Sequence, residues 1–359
     1  MDGRAKSLFP FILMLFIMLT MPLATFPVNH DVDLSSYDIS TTTAKSQTTW
    51  SGVVELTESY SIAVTDELII APCTLVKVPN SARIFVDGRL SIEGDSTCPV
   101  VIDQAGTGLH YGIQFNQSSY GRGSIINNLS IDNSMYGVTV YGSNPVLNNV
   151  TINNPSRVGI DLFSNANPTI SDLMVDQSGR GFTYSDWRYG IGLSVGAGSS
   201  PIVERAVLTD MRIRGLNIWG DSGGIYRQIT IDNITAEGAS AISAGVWVED
   251  SRPLITNVSV DKSDYGILIR HIDDGGNTRA VVRDCLVTNS MYRGIYVDKA
   301  NHTNFTNYET ADFTNTVVSG TGGPNAKTSG IGFAAIEINA TGAWFENTLI
   351  EDSTTTGLR

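Results

Sequence analysis

The stretch Asn128-Leu-Ser-Ile-Asp-Asn-Ser-Met-Tyr-Gly137-Val-Thr-Val-Tyr-Gly-Ser-Asn-Pro-Val-Leu-Asn-Asn149-Val-Thr-Ile152 decides how the chain is built. It alternates two short phrases. One is an Asn followed by apolar residues at every second position. The other is a Gly with apolar residues at +1 and +3. Period-two alternation of this kind is strand patterning. The first phrase returns at Asp172-Leu-Met-Val, Asp210-Met-Arg-Ile, Asn233-Ile-Thr-Ala, Asn257-Val-Ser-Val, Asp284-Cys-Leu-Val, Asn315-Thr-Val-Val and Asn347-Thr-Leu-Ile. The second is found at Gly112-Ile-Gln-Phe, Gly159-Ile-Asp-Leu, Gly190-Ile-Gly-Leu, Gly215-Leu-Asn-Ile, Gly245-Val-Trp-Val, Gly266-Ile-Leu-Ile and Gly294-Ile-Tyr-Val, and in the variant Ala335-Ile-Glu-Ile. Asn128 to Gly137 is 9 residues and Gly137 to Asn149 is 12, so the undecorated repeat is 21–22 residues long.

That period is too short for a propeller blade, which needs about 40 residues, and the Leu-x-x-Leu-x-Leu signature of leucine-rich repeats is missing. The reading that remains is an all-β, parallel β-helix solenoid of about 21–25 residues per coil, with strands of successive coils stacked ~4.8 Å apart. Asn and Gly mark the bends because they enter the left-handed region at low cost. Composition agrees. Hydrophobic residues make up 42% of the 359 and charged residues only 16%, which suits a large core and excludes disorder. Gly 35 and Asn 25 against Pro 12 suit many tight turns. The net charge is −13, and no Lys/Arg cluster offers the counterion release that nucleic-acid binding needs. Four His and three Cys with no Cys-x-x-Cys exclude a zinc finger or a thiol redox motif.

Residues 1–26 read as a secretory signal, with an uncleaved anchor as the alternative: Arg4 and Lys6 precede an apolar run from Leu8 to Leu23. Any membrane contact is expected through this segment alone. Residues 27–49 read as a polar leader, 50–110 as the N-terminal cap and first coils, and 111–359 as the repeats. The last residues, Gly357-Leu-Arg359, begin another Gly phrase without a polar cap, which suggests a fragment or an end-to-end contact with a partner. Cys73 and Cys98 lie 25 residues apart, close to one coil, so a disulfide between them is expected, while Cys285 takes an inward position as a buried thiol.

The repeat, together with the opening region Ile84-Phe-Val-Asp-Gly88-Arg-Leu-Ser-Ile-Glu-Gly94, resembles the right-handed parallel β-helix repeat proteins of the pectate-lyase-like superfamily, in particular their secreted surface members. The resemblance covers about 50–359. It implies the fold strongly and the activity weakly, since the superfamily includes polysaccharide lyases, glycoside hydrolases, epimerases, adhesins and surface scaffolds. The Gly-His-Gly and Arg-x-Lys signatures of polygalacturonase-like hydrolases and the Asp-Pro-His-Glu signature of alginate epimerases are missing.

The register places candidate chemistry in outward columns. Position +2 from each Gly runs Gln114, Thr139, Asp161, Gly192, Asn217, Trp247, Leu268, Tyr296; position +4 runs Asn116, Tyr141, Phe163, Ser194, Trp219, Glu249, Arg270, Asp298. His271 and Lys299 follow. Trp219, Trp247 and Tyr296 are the residues expected to stack on sugar rings. Glu249 and Asp298, two coils and ~9–10 Å apart, suit an inverting carboxylate pair. Arg270 or Lys299 offers a lyase base. A surface charge ladder is the simpler alternative. The insertion 173–189 adds Trp187 and Arg188 as wall residues, and a second insertion, 316–334, is Gly-rich. Asp273 and Asp274 offer oxygen ligands for Ca2+, or form a plain acidic turn. Eight Asn-x-Ser/Thr sequons occur, at Asn116, Asn128, Asn149, Asn233, Asn257, Asn301, Asn304 and Asn339, with the loop pair Asn301 and Asn304 favoured for glycosylation. The leading expectation is an exported glycan-binding or structural/adhesive module facing extracellular polysaccharide or cell-surface glycan. The alternative is a polysaccharide lyase or glycoside hydrolase using Glu249, Arg270 and Asp298.

Overall fold

The computed structural model describes residues 46–179, 189–236, 242–271, 279–299, 311–322, 334–339, 343–353 and 356–358. Within them the chain is a parallel β-helix. Strands fall into a 12-stranded and an 18-stranded sheet, paired in parallel from coil to coil. The helical turn Gln117–Ser119 is a local exception.

The Gly-led strands build the 12-stranded sheet. Its +1 residues pair in one unbroken file: Val138, Ile160, Leu193, Leu216, Val246, Ile267, Ile295 and Ile336. All are at most 2% exposed, so each contributes about 1.5–3 kcal/mol of burial. The Gly itself is required by close approach. A Cβ on Gly245 would lie 2.2 Å from Val260 Cγ1 and 2.9 Å from the Gly266 carbonyl. This file also corrects one register expectation. Ile160 pairs with Leu193, so the phrase in that coil starts at Gly192 and not at Gly190; Ser194 falls in the +2 column and Gly196 in the +4 column.

The 18-stranded sheet carries two columns of left-handed residues. In the first, Asn128, Asn149, Asp172, Arg205, Gln228, Asn257, Asp284, Asn315 and Asn347 have φ between 49° and 56°. The second runs through Asn133, Asn154, Gln177, Asp210, Asn233, Lys262 and Asn289 with φ between 51° and 58°. Asp210 and Asn233 therefore do not begin strands as their sequence phrases suggest. Register puts Arg205 and Gln228 in that place, because Leu173 pairs with Ala206 and Ala206 with Ile229. Asp210 and Asn233 of the second column precede apolar residues just as Asn128 and Asn149 of the first do, so local pattern alone cannot tell them apart.

The strand Ser46–Trp50 pairs with Asp66–Ile70, so the last residues of the stretch read as leader already belong to the first coil. Cys73 and Cys98 are disulfide-bonded with their Cα atoms 4.8 Å apart, and Cys285 is a free, buried thiol. Strand Thr169–Asp176 extends into the stretch read as an insertion from 173. Strand Thr356–Leu358 pairs with Ala334–Asn339 and continues the Gly-led file. Residues 1–45, which include the segment read as a signal or anchor, lie outside the described residues. No described helix is long and apolar enough to cross a membrane.

Candidate functional site

The outer face of the 12-stranded sheet separates into two zones. In the C-terminal zone the +4 column pairs Trp219 with Glu249, Glu249 with Arg270, Arg270 with Asp298 and Asp298 with Asn339. The expected file of Glu249, Arg270 and Asp298 is thus in place, but its members face one another. Arg270 Nε lies 3.7 Å from Asp298 Oδ2, and Glu249 accepts a hydrogen bond from Trp247 Nε1 at 3.2 Å. His271 Nδ1 sits 3.0 Å from Asp250 Oδ1. Beside this file, Arg293 donates to Glu337 at 2.6 Å and to the Tyr265 hydroxyl, and its guanidinium lies 4.5 Å over the Tyr296 ring. The Tyr296 hydroxyl accepts from Asn339 at 3.0 Å. Nearly every charge here has an opposite charge or a hydrogen bond.

Trp247 corrects a second expectation. It stands in the outward +2 column between Asn217 and Leu268, yet it is only 6% exposed and cannot offer its face to a sugar. The Arg214 guanidinium lies 3.8 Å over its ring, and Ala244, Tyr265 and Leu268 pack around it, with Tyr292 and Tyr296 against that cluster. The cause is Arg214 of the preceding coil, which is held over the ring while donating a 2.6 Å hydrogen bond to its own coil's Asn217.

The N-terminal zone is built differently. Its +2 column pairs Thr139 with Asp161, Asp161 with Ser194 and Ser194 with Asn217. Burial pushes the Asp161 carboxyl up to about 6, against an opposing hydrogen bond from Ser194. Two coils on, Arg214 is pushed down to about 10 by burial and by the nearby Arg270, with Glu249 acting the other way. Asp161 and Arg214, which meets this column through Asn217, are both displaced toward their neutral forms, the pattern that marks acid–base sites. Alongside runs an aromatic line. Tyr141 and Phe163 meet edge to face at 5.1 Å, and Tyr141 is 42% exposed. Trp219 lies back over Gly196, where a Cβ would come within 2.2 Å of the indole. On the other flank Arg157 donates to the Tyr136 hydroxyl at 2.8 Å and the Tyr189 hydroxyl at 2.6 Å, with its guanidinium 4.4 Å over the Tyr189 ring. Burial disfavours the charge of Arg157, but the two phenols more than offset this and hold its pKa raised. Its Nε is buried and has no hydrogen-bond partner.

Asp161, Arg214, Arg157, Tyr136 and Tyr189 were therefore absent from the sequence-based candidates that carried chemistry. Asp161 was visible as a +2 residue, but the desolvation that raises its carboxyl comes from the stacked coils and is not displayed in the sequence. Trp187, Arg188, Asp273 and Asp274 lie outside the described residues, as do Asn301 and Asn304. Among the described residues no group of three or more His, Cys, Asp or Glu is placed to hold a metal ion.

Residues 91–252 match the family described as the right handed beta helix region. That match agrees with the parallel β-helix formed by the described residues. Solved structures similar to it include an alginate lyase from Paenibacillus, at 13% identity and a TM-score of 0.39, covering 84% of this chain and 100% of that one. A periplasmic alginate epimerase aligns at 12% identity and a TM-score of 0.43 over 83% of this chain and 76% of the other. The catalytic unit of an alpha-1,3-glucanase from Streptomyces thermodiastaticus aligns at 14% and a TM-score of 0.42, over 87% of this chain and 61% of the glucanase chain. No curated protein matches the sequence.

Proposed function

We propose that this protein is an exported, polysaccharide-active β-helix that holds an acidic sugar chain across the N-terminal zone of the 12-stranded sheet and cleaves it by β-elimination. One observation carries the reading: Asp161, near pKa 6 in the +2 column, and Arg214, near pKa 10 and hydrogen-bonded to the +2 residue Asn217 two coils on, stand beside the aromatic line Tyr141, Phe163 and Trp219. Stacking sets the backbones of Asp161 and Asn217, the partner of Arg214, ~9–10 Å apart. Sugar rings stack on the aromatic line. Arg214, which loses its proton more readily than an ordinary arginine, takes the proton next to the uronate carboxyl group. Protonated Asp161 hands its proton to the departing glycosidic oxygen as that carbon–oxygen bond breaks. Arg157 faces the uronate carboxylate. Export is supported by the N-terminal charged and apolar run and by the Cys73–Cys98 disulfide.

A second reading, a glycan-binding module without turnover, is favoured by the ion pairing of the C-terminal zone, where Arg293 and Glu337 form a fixed, buried pair. The test is incubation of the purified chain with uronate polysaccharides, following unsaturated ends by ultraviolet absorbance and reducing ends by colorimetry. Release of unsaturated ends that is lost in both Asp161→Asn and Arg214→Met supports elimination. Binding with no release supports the module. Neither binding nor release sinks both readings.

A further inference from the structure

We infer that Asn257 is an N-glycan acceptor and the preferred one among the described sequons. The inference rests on the export proposed above and concerns a different face of the molecule. N-glycosylation joins the side-chain Nδ2 of Asn to the anomeric carbon of an oligosaccharide carried on a polyprenyl phosphate or diphosphate. The carbon–oxygen bond to the carrier breaks, the carrier leaves with its phosphate, and Nδ2 gives up one proton. The acceptor nitrogen must be accessible and tolerate a bulky substituent in the folded protein.

Five of the six described sequon asparagines have that nitrogen engaged. Asn116 donates to Asp87 at 3.1 Å, Asn128 to the Gly94 carbonyl at 2.7 Å, and Asn149 to Asn128 Oδ1 at 2.5 Å. Asn233 donates to Asp210, and Asn339 to the Tyr296 hydroxyl at 3.0 Å. Asn128 and Asn149 stand in the stacked left-handed column, so a sugar there must intrude on side chains about one strand spacing, ~4.8 Å, above and below. Asn257 occupies the same column and is exposed like Asn149, but its side chain makes no hydrogen bond among the described residues. The ladder is interrupted at this point. The preceding coil presents Gln228, and the following one presents Asp284, whose carboxylate is already bonded by Asn315 at 2.9 Å. Val258 is 1% exposed and turned inward, while Ser259 lies outward in the +2 place that the transferase reads. The strand Leu254–Ser263 belongs to the 18-stranded sheet, so a glycan on Asn257 leaves the candidate site uncovered.

The test expresses the full chain behind a strong secretion signal in a glycosylating host, with an added C-terminal tag carrying one unhindered Asn-x-Thr sequon. Only secreted molecules whose tag is glycosylated are analysed, which separates failure of Asn257 from failure of export. Peptide mass spectrometry after enzymatic deglycosylation in heavy-oxygen water reads occupancy at each site. The expected result is occupancy at Asn257 at least five-fold above that at Asn116, Asn128, Asn149, Asn233 and Asn339. Asn257→Gln and Ser259→Ala are each expected to remove one glycan mass while secretion continues. An unmodified Asn257 beside a modified tag, or equal occupancy at Asn128 or Asn149, overturns the inference.

Discussion

The two zones of the 12-stranded sheet share one backbone and one register but treat charge in opposite ways. From Trp247 to Asn339, Glu249, Arg270, Asp298, Arg293 and Glu337 neutralise one another, and the largest aromatic is sealed beneath Arg214. From Thr139 to Asn217, a lone carboxyl is held near pKa 6 and an arginine is bonded to phenols in place of carboxylates. A stacked file of complementary charges is what a solenoid does to secure its coils. A file whose charges are left unbalanced costs stability and calls for a ligand.

The sharpest way to break this comparison is through turnover. Arg214→Met and Asp161→Asn are each expected to lower kcat on a uronate polysaccharide by about 10²–10⁴-fold, the usual weight of a positioned acid or base. Glu249→Gln and Asp298→Asn are expected to leave it within a factor of a few. The reverse outcome moves the site to the C-terminal zone.

Stability should separate the zones next. Arg293→Met strands Glu337 in a buried position and is expected to cost about 3–5 kcal/mol in urea unfolding, since breaking a buried pair leaves an uncompensated charge. Asp161→Asn is expected to do the opposite. The folded carboxyl has its pKa raised above the unfolded value, so its contribution is present in full below about pH 4 and is lost as pH rises through about 6. At pH 8 the substitution should therefore stabilise the chain, on the order of 2 kcal/mol, while abolishing activity. A destabilised D161N variant would make Asp161 a structural residue.

Smaller effects sharpen the picture. Arg270→Gln removes one partner of a partly exposed 3.7 Å ion pair and should cost under about 1 kcal/mol. The mildest expected effect is a pH response at the N-terminal coils. His110 is fully buried, with Nδ1 accepting from the Gly112 N–H at 3.0 Å and Nε2 donating to the Asp132 carbonyl at 2.9 Å. Burial lowers its pKa, and the Asp132 carbonyl with the charges of Asp103 and Asp132 acts against that. The unfolded chain then takes up this proton first, so stability should fall modestly as pH drops below about 6.5. His110→Asn should flatten that slope in thermal unfolding at pH 7 and pH 5.

The sequence reading reached the columns themselves. The pairing of Glu249 with Arg270 and of Arg270 with Asp298 is as counted from the Gly residues. It missed the coil with two candidate glycines, Gly190 and Gly192, because both precede apolar alternation and only the neighbouring coils choose between them. It also merged the two left-handed columns, since Asp210 and Asn257 look alike locally and differ only in the residues they stack upon. Trp247 was placed in the right column and given the wrong environment, because the side chain that covers it starts one coil earlier.

What sequence alone determined is the coil: period-two apolar residues must face a common interior, and glycine must stand where a neighbouring backbone leaves no room for a Cβ. Both are short-range demands repeated often enough to be read from the chain. Which outward residues are balanced and which are left to meet a ligand was decided only by the stacked structure. Burial and charge pairing there depend on the coils above and below, which lie twenty or more positions away in the chain.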